Sequence, residues 1–207
     1  MPLDMATLVS PSHTAVLTME MQRGVIGDLA AVPTLAEEVA AQGTIGRTSR
    51  LVVAARQAGV RVVHCTAEFR PDGAGSAGNC PVLAAARREP DRLIIGTPTV
   101  DVVPELGPEP ADIISSRVHG MTPFTGTSLD VMLRNLGITT VIATGVSVNI
   151  GIVGLVIEAV DLGYQVVLPT DCVAGVPEEY AQAVIKNTLS LLTTRTTADK
   201  LIAIWSA

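Results

Sequence analysis

The sequence predicts a three-layer α/β fold, a mostly parallel sheet with helices on both faces, and three observations carry that expectation. Apolar, β-branched runs alternate along the chain with longer stretches of helical periodicity, the pattern of repeated βαβ units. Apolar residues make up 48% of the chain and charged residues 16%, enough apolar surface to offset the entropy of ordering and to exclude disorder. Trp205, Tyr164, Tyr180, Phe69 and Phe124 are the only aromatics, so the core has to be built from Ala, Val, Leu and Ile. Such a core suits a buried parallel sheet under small-residue helices. With 207 residues and no linker, repeat or low-complexity tract, residues 1–207 read as one domain.

The elements follow in order. Thr14–Glu20 reads as the first strand, and 34–58 as a long helix with Leu35, Val39, Ile45, Leu51, Val52 and Ala55 loosely at helical spacing. Gly59 ends that helix, and Val60–Cys65 form the second strand. Residues 67–82 are rich in Gly and Pro and read as a long loop, of the kind that lines or caps a site. A short helix spans 83–88, an irregular Pro-rich stretch follows, and 112–117 make the third strand. Helix 128–136, strand 139–144, helix 149–162, strand 165–168 and helix 178–192 complete the pattern, with a weak segment around 201–204.

Composition narrows the function. A net charge of −6, with no basic run and no aromatic interleaving, argues against a nucleic-acid partner. Cys65, Cys80 and Cys172 are widely spaced and form no CxxC pair, so neither a disulfide framework nor a structural zinc is expected, and a cytoplasmic location fits. His13, His64 and His119 show no HxH or HxxxH spacing, and no metal is expected. The segment Met1–Asp4 has neither the basic nor the apolar region of a signal peptide. Residues 137–157 carry no charge and could span a bilayer by length. Gly145, Ser147, Asn149, Gly151 and Gly154 interrupt them, so a buried strand turning into a buried helix is expected, with no membrane partner.

In an open parallel sheet, ligands bind beyond the carboxyl ends of the strands. The residues at those ends are Glu20, Cys65, the stretch after Arg117, the turn from Gly145 to Asn149, and Asp171. Glu20 closes a strongly apolar strand, where an unpaired charge is costly. It is therefore either a site carboxyl, the partner of Arg117, or an acceptor for loop N–H groups. Arg117 could itself grip a substrate carboxylate in fork geometry, and His119 could serve as acid or base. Cys65 offers a third possibility, a displaced thiol nucleophile, against the simpler reading of a small core residue.

Four motifs in register resemble the isochorismatase-like hydrolases. Leu17-Thr-Met-Glu20-Met21-Gln22 is similar to their first-strand motif, and Pro123-Phe124-Thr-Gly-Thr-Ser-Leu129 to their next. Thr144-Gly145-Val146-Ser147-Val148-Asn149-Ile150-Gly151 resembles their strand-to-helix turn, and Glu158-Ala159 with Gly163-Tyr164 the motif after it. The resemblance implies an isochorismatase-like, Rossmann-like architecture, a non-proline cis peptide between Val146 and Ser147, and a small-molecule substrate without a dissociable cofactor. Many relatives use Asp, Lys and Cys, the Cys lying at a helix N-terminus that lowers its pKa. Carried over by position, the Asp becomes Glu20 and the Cys becomes Gly151. The Lys falls at Val118, six residues before Phe124, between Arg117 and His119.

Gly151 has no nucleophile, so thiol acyl transfer at that position is excluded. Isochorismatases proper share this Gly and cleave a vinyl ether by proton transfer from a carboxyl, which needs a general acid rather than a nucleophile. The resemblance thus implies Glu20 as general acid/base, assisted by His119 or Arg117. The backbone of Ile150 and Gly151 would hold an anion or carbonyl oxygen, and Val146, Ser147, Asn149 and Phe124 would join Arg117 in binding substrate. The alternative is a catalytically silent member acting as a ligand-binding or scaffold protein. Relatives also imply a homodimer or homotetramer.

Overall fold

The computed structural model describes residues 4–89 and 92–207. The start of the N-terminal segment and residues 90–91 of the Pro-rich stretch lie outside them. Seven strands form one sheet: β1 (Thr14–Met19), β2 (Arg61–Ala67), β3 (Ile113–Arg117), β4 (Thr140–Val146), β5 (Gln165–Pro169), β6 (Val173–Ala174) and β7 (Thr194–Thr196). The order is β3-β2-β1-β4-β5-β7, with β6 beside β4. Every pairing is parallel, so the carboxyl ends of β1, β2, β3 and β4 all emerge on one edge.

Alternation along β1 shows why an apolar strand sits between two helical layers. Ala15, Leu17 and Met19 pack with Leu129, Leu133, Leu155, Val156 and Leu189 on one face. Val16 packs with Leu51, Val52, Ala55 and Leu201 on the other, because successive side chains leave a strand on opposite sides. Residues 137–157 lie across β4, the turn after it and the helix Val153–Asp161. No described helix is long and apolar enough to cross a membrane.

Three expectations are corrected. The helix drawn over 34–58 is two, Pro33–Ala41 and Thr44–Gln57, broken at Gly43 with φ 64°. The left-handed backbone there turns the chain between two apolar stripes that face different neighbours. The helix expected from residue 149 begins as a π-turn, Val148–Ile152, before α geometry sets in at Val153. The weak C-terminal segment is a regular helix, Ala198–Trp205, and the edge strand β7 before it carries no apolar run that would reveal it.

A buried polar chain ties β1, β2 and β3 together on the helix Thr44–Gln57 side. His64 is fully buried, with Nδ1 2.8 Å from the Thr18 hydroxyl and Nε2 3.3 Å from Asp112. Asp112 accepts from Arg56 at 2.6 Å. Burial lowers the His64 pKa from its ordinary 6.5, against the opposing pull of Asp112. A histidine kept neutral in the fold and free to charge when unfolded costs stability as pH falls below 6.5. Stability of the wild type against urea should therefore drop between pH 7 and pH 5, and His64→Gln should flatten that slope. Parallel slopes for the two proteins would contradict this account of His64.

Candidate active site

Beyond the carboxyl ends of β1, β2, β3 and β4 lies a cavity of about 250 Å³. Its walls are largely apolar, with Val25, Val32, Leu35, Phe69, Leu93, Ile150 and Val176, and Glu20, Arg117, His119, Ser147, Asn149 and Gly151 also open onto it. The segment expected as a long loop contributes Phe69, and its end is already helical, Pro81–Ala86, which brings Val82 and Leu83 to the cavity.

Glu20 follows β1 with φ 51°, a left-handed conformation rare for a residue with a Cβ. Such a backbone costs about 1–3 kcal/mol and is characteristic of functional positions. Two contacts hold it there. Its N–H continues the ladder to Cys65 O at 2.9 Å, and its carboxylate accepts from Arg117 Nη2. The Glu20 side chain keeps 22% exposure while that of Arg117 keeps 4%.

Arg117 ends β3, and its three nitrogens are all engaged. Nε donates to Gly120 O at 3.2 Å, Nη1 to Thr66 O at 3.5 Å, and Nη2 to Glu20. Arg117 is thus the cation that faces the carboxylate, while Val118, where counting back from Phe124 placed the Lys, turns outward with 39% exposure. Three of its five N–H groups are thus committed to Gly120, Thr66 and Glu20, so the fork that was expected to face a substrate carboxylate is turned in part toward Glu20. His119 accepts from Ala77 N–H through Nδ1 at 3.3 Å. An accepting Nδ1 leaves the ring proton on Nε2, so His119 is a donor on that side.

The peptide between Val146 and Ser147 is cis, and the turn after it carries Ser147, Asn149, Ile150 and Gly151 to the cavity. Ile150 N–H is engaged by Ser147 O at 3.2 Å, so the expected anion-holding role for that group is not built. Val146 is fully buried in the apolar cluster with Met21, Val25 and Ala67 and does not line the cavity. Its carbonyl lies 2.9 Å from where a Cβ on Gly151 would sit, and Met19 Cε 3.2 Å away. A cysteine at 151 would need the backbone to shift.

Phe124 is also corrected. It is buried in the core on the far side of the turn and stacks on Tyr164 with ring centroids 5.9 Å apart. Glu158 accepts from the Phe124 N–H at 3.3 Å and from the Thr125 hydroxyl. The two motifs containing Phe124 and Glu158 therefore brace the helix Val153–Asp161, and neither residue lines the cavity. Cys65 is excluded as a displaced nucleophile: it is fully buried, and burial pushes its thiol up to about 12 despite Arg117 nearby. Cys172 is likewise buried and raised to about 12 by burial.

Residue-by-residue reading of the sequence missed Arg92, Leu93 and Met121, which come from irregular segments whose path only the fold reveals. It quoted Gln22 without a role. Gln22 is fully buried and bonds Ala67 N, Ala67 O and Val100 O at 2.8, 2.9 and 2.9 Å, clamping the end of β2 behind the cavity. An amide two residues after a strand-end carboxyl was the available signal.

This sheet order, the carboxyl directly after β1 and the glycine-bearing turn after β4 define an α/β protein of the isochorismatase class. The sequence matches the isochorismatase domain over residues 14–199, and the chain belongs to that family. It is similar to the ureidoacrylate amidohydrolase RutB of Rhizobium rhizogenes, 29% identical over 192 residues that cover 86% of this chain and 78% of the relative. Among solved structures it resembles an isochorismatase family protein from Burkholderia thailandensis, with TM-score 0.77, 26% identity, and 95% and 97% of the two chains covered. A cysteine hydrolase from Pseudomonas syringae pv. phaseolicola has the same fold, with TM-score 0.81, 22% identity, and 96% and 95% covered.

Proposed function

We propose that this chain hydrolyses a C–O or C–N bond of a small molecule by proton transfer through Glu20, without a covalent enzyme intermediate. The observation that supports this reading is the Glu20–Arg117 pair at the edge of an apolar cavity where the neighbouring turn offers Gly151 in place of a nucleophile. Arg117 pins one carboxylate oxygen and leaves the other to exchange a proton. In a vinyl ether the carboxyl delivers a proton to the terminal carbon, water adds to the resulting cation and returns a proton to the carboxylate, and the hemiketal collapses to a ketone as its hydroxyl proton passes to the departing alcohol. In an amide it takes a proton from the attacking water and returns it to the departing nitrogen. His119, which opens onto the cavity, steadies a developing oxyanion through Nε2–H, and apolar walls strengthen each of these interactions.

A panel of isochorismate, read as pyruvate release, and ureidoacrylate, read as ammonia release, tests this before and after treatment with iodoacetamide. Turnover of one substrate that survives alkylation is the expected result. Turnover abolished by alkylation would show thiol chemistry instead. No turnover of either would favour the alternative, a silent ligand-binding protein.

A further inference from the structure

Among the described residues, Arg92 is the one charged group on the cavity wall with no partner inside the protein. Among the described lining residues the charged groups are Glu20, Arg117 and Arg92. Glu20 and Arg117 neutralise each other, so Arg92 leaves the cavity with an excess positive charge. Its Nε is buried and has no hydrogen-bond partner among the described residues. A buried donor left unpaired is costly, and a guanidinium among apolar walls is a strong site for a planar anion.

The surrounding backbone is shaped around this side chain. Leu93, the next residue, has φ 53°, and it and Glu20 are the only non-glycine residues with positive φ among those described; both line the cavity. The Leu93 carbonyl accepts from Phe69 N–H at 2.7 Å, and Ile95 N–H donates to Phe69 O at 2.9 Å, fastening the Arg92 segment to the long loop. Arg92 also lines a second cavity of about 310 Å³, which shares Phe69 and Ala86 with the first. It therefore stands at the partition between an apolar chamber and a polar one.

We propose that Arg92 recognises a carboxylate of the substrate, so that the cavity takes a small carboxylic acid with its apolar body against Val32, Leu35 and Val176 and its charge at the partition. The inference rests on this cavity being the substrate site, but it concerns binding and not turnover. Calorimetric titration with benzoate and its neutral isostere benzamide tests it on the wild type, Arg92→Met, Arg92→Lys and Glu20→Gln. Benzoate should bind the wild type at least tenfold more tightly than benzamide. Arg92→Met should erase that preference while leaving benzamide affinity unchanged, which also shows that the variant is folded, and Arg92→Lys should retain part of it. Equal affinity of the wild type for the two probes, no binding of benzoate, or benzoate binding unchanged in Arg92→Met would each overturn the proposal. Glu20→Gln leaves Arg117 without its partner and should hold benzoate at least as tightly as the wild type. A protein that discriminates benzoate yet turns over nothing would thus sink the catalytic reading alone.

Discussion

Gly145→Ala should destabilise the protein by about 3–5 kcal/mol, the range of a severe overpacking or strain effect at a buried site. A Cβ at this position would stand 2.1 Å from Met19 O and 2.8 Å from Met19 N, and the residue holds φ 105°. Gly145 is the register partner of Met19 on β1 and of Val173 on β6, so no neighbouring strand can give way. For a chain of this size the loss corresponds to a fall in melting temperature of about 10 °C or more. Gly46→Ala is the matched control. Gly46 sits inside the helix Thr44–Gln57 with open space around its missing side chain, and alanine there should raise stability by about 0.5–1 kcal/mol. Thermal unfolding of the three proteins decides the matter, and a Gly145→Ala variant as stable as wild type would contradict the close approach of β4 to β1. The same close approach sets Glu20, the residue after Met19, against the turn that ends at Gly151.

Much of this site was legible because buried parallel strands announce their own ends. Thr14–Met19 is buried throughout, so a carboxylate directly after it had to be either paired or functional, and Glu20 is paired with Arg117 at the cavity. The turn Ser147–Gly151 was legible from its glycines and its place after β4. What the sequence hid depends on chain paths with no periodicity. Arg117 was already a named partner for Glu20, but the count back from Phe124 through an irregular segment put the Lys position one residue away, on exposed Val118. Phe124 carried a motif whose purpose is packing against Tyr164, which spacing alone does not separate from substrate contact. Arg92 lies in a Pro-rich stretch with no pattern of its own, and only the fold brings it to the same wall as Glu20. The break at Gly43 was hidden because Pro33–Ala41 and Thr44–Gln57 are both helical on either side of it.

The second large effect belongs to Glu20. Glutamine keeps the size of the side chain and an oxygen for Arg117 Nη2, but it cannot give or take a proton. General acid/base groups contribute about 10²–10⁴-fold to rate, so Glu20→Gln should lose at least about 10²-fold in kcat while remaining folded. Glu20→Asp keeps the proton-carrying group one methylene shorter and should retain measurable activity. That pattern separates proton transfer from a merely structural ion pair, since loss of pairing would damage stability and substrate affinity before kcat.

The most direct measurement is therefore turnover of the isochorismate and ureidoacrylate panel by the wild type, Glu20→Gln and Glu20→Asp, with circular dichroism confirming that all three are folded. The account predicts turnover by the wild type, a reduced rate in Glu20→Asp and none detectable in Glu20→Gln. Wild-type turnover that persists undiminished in Glu20→Gln would contradict it.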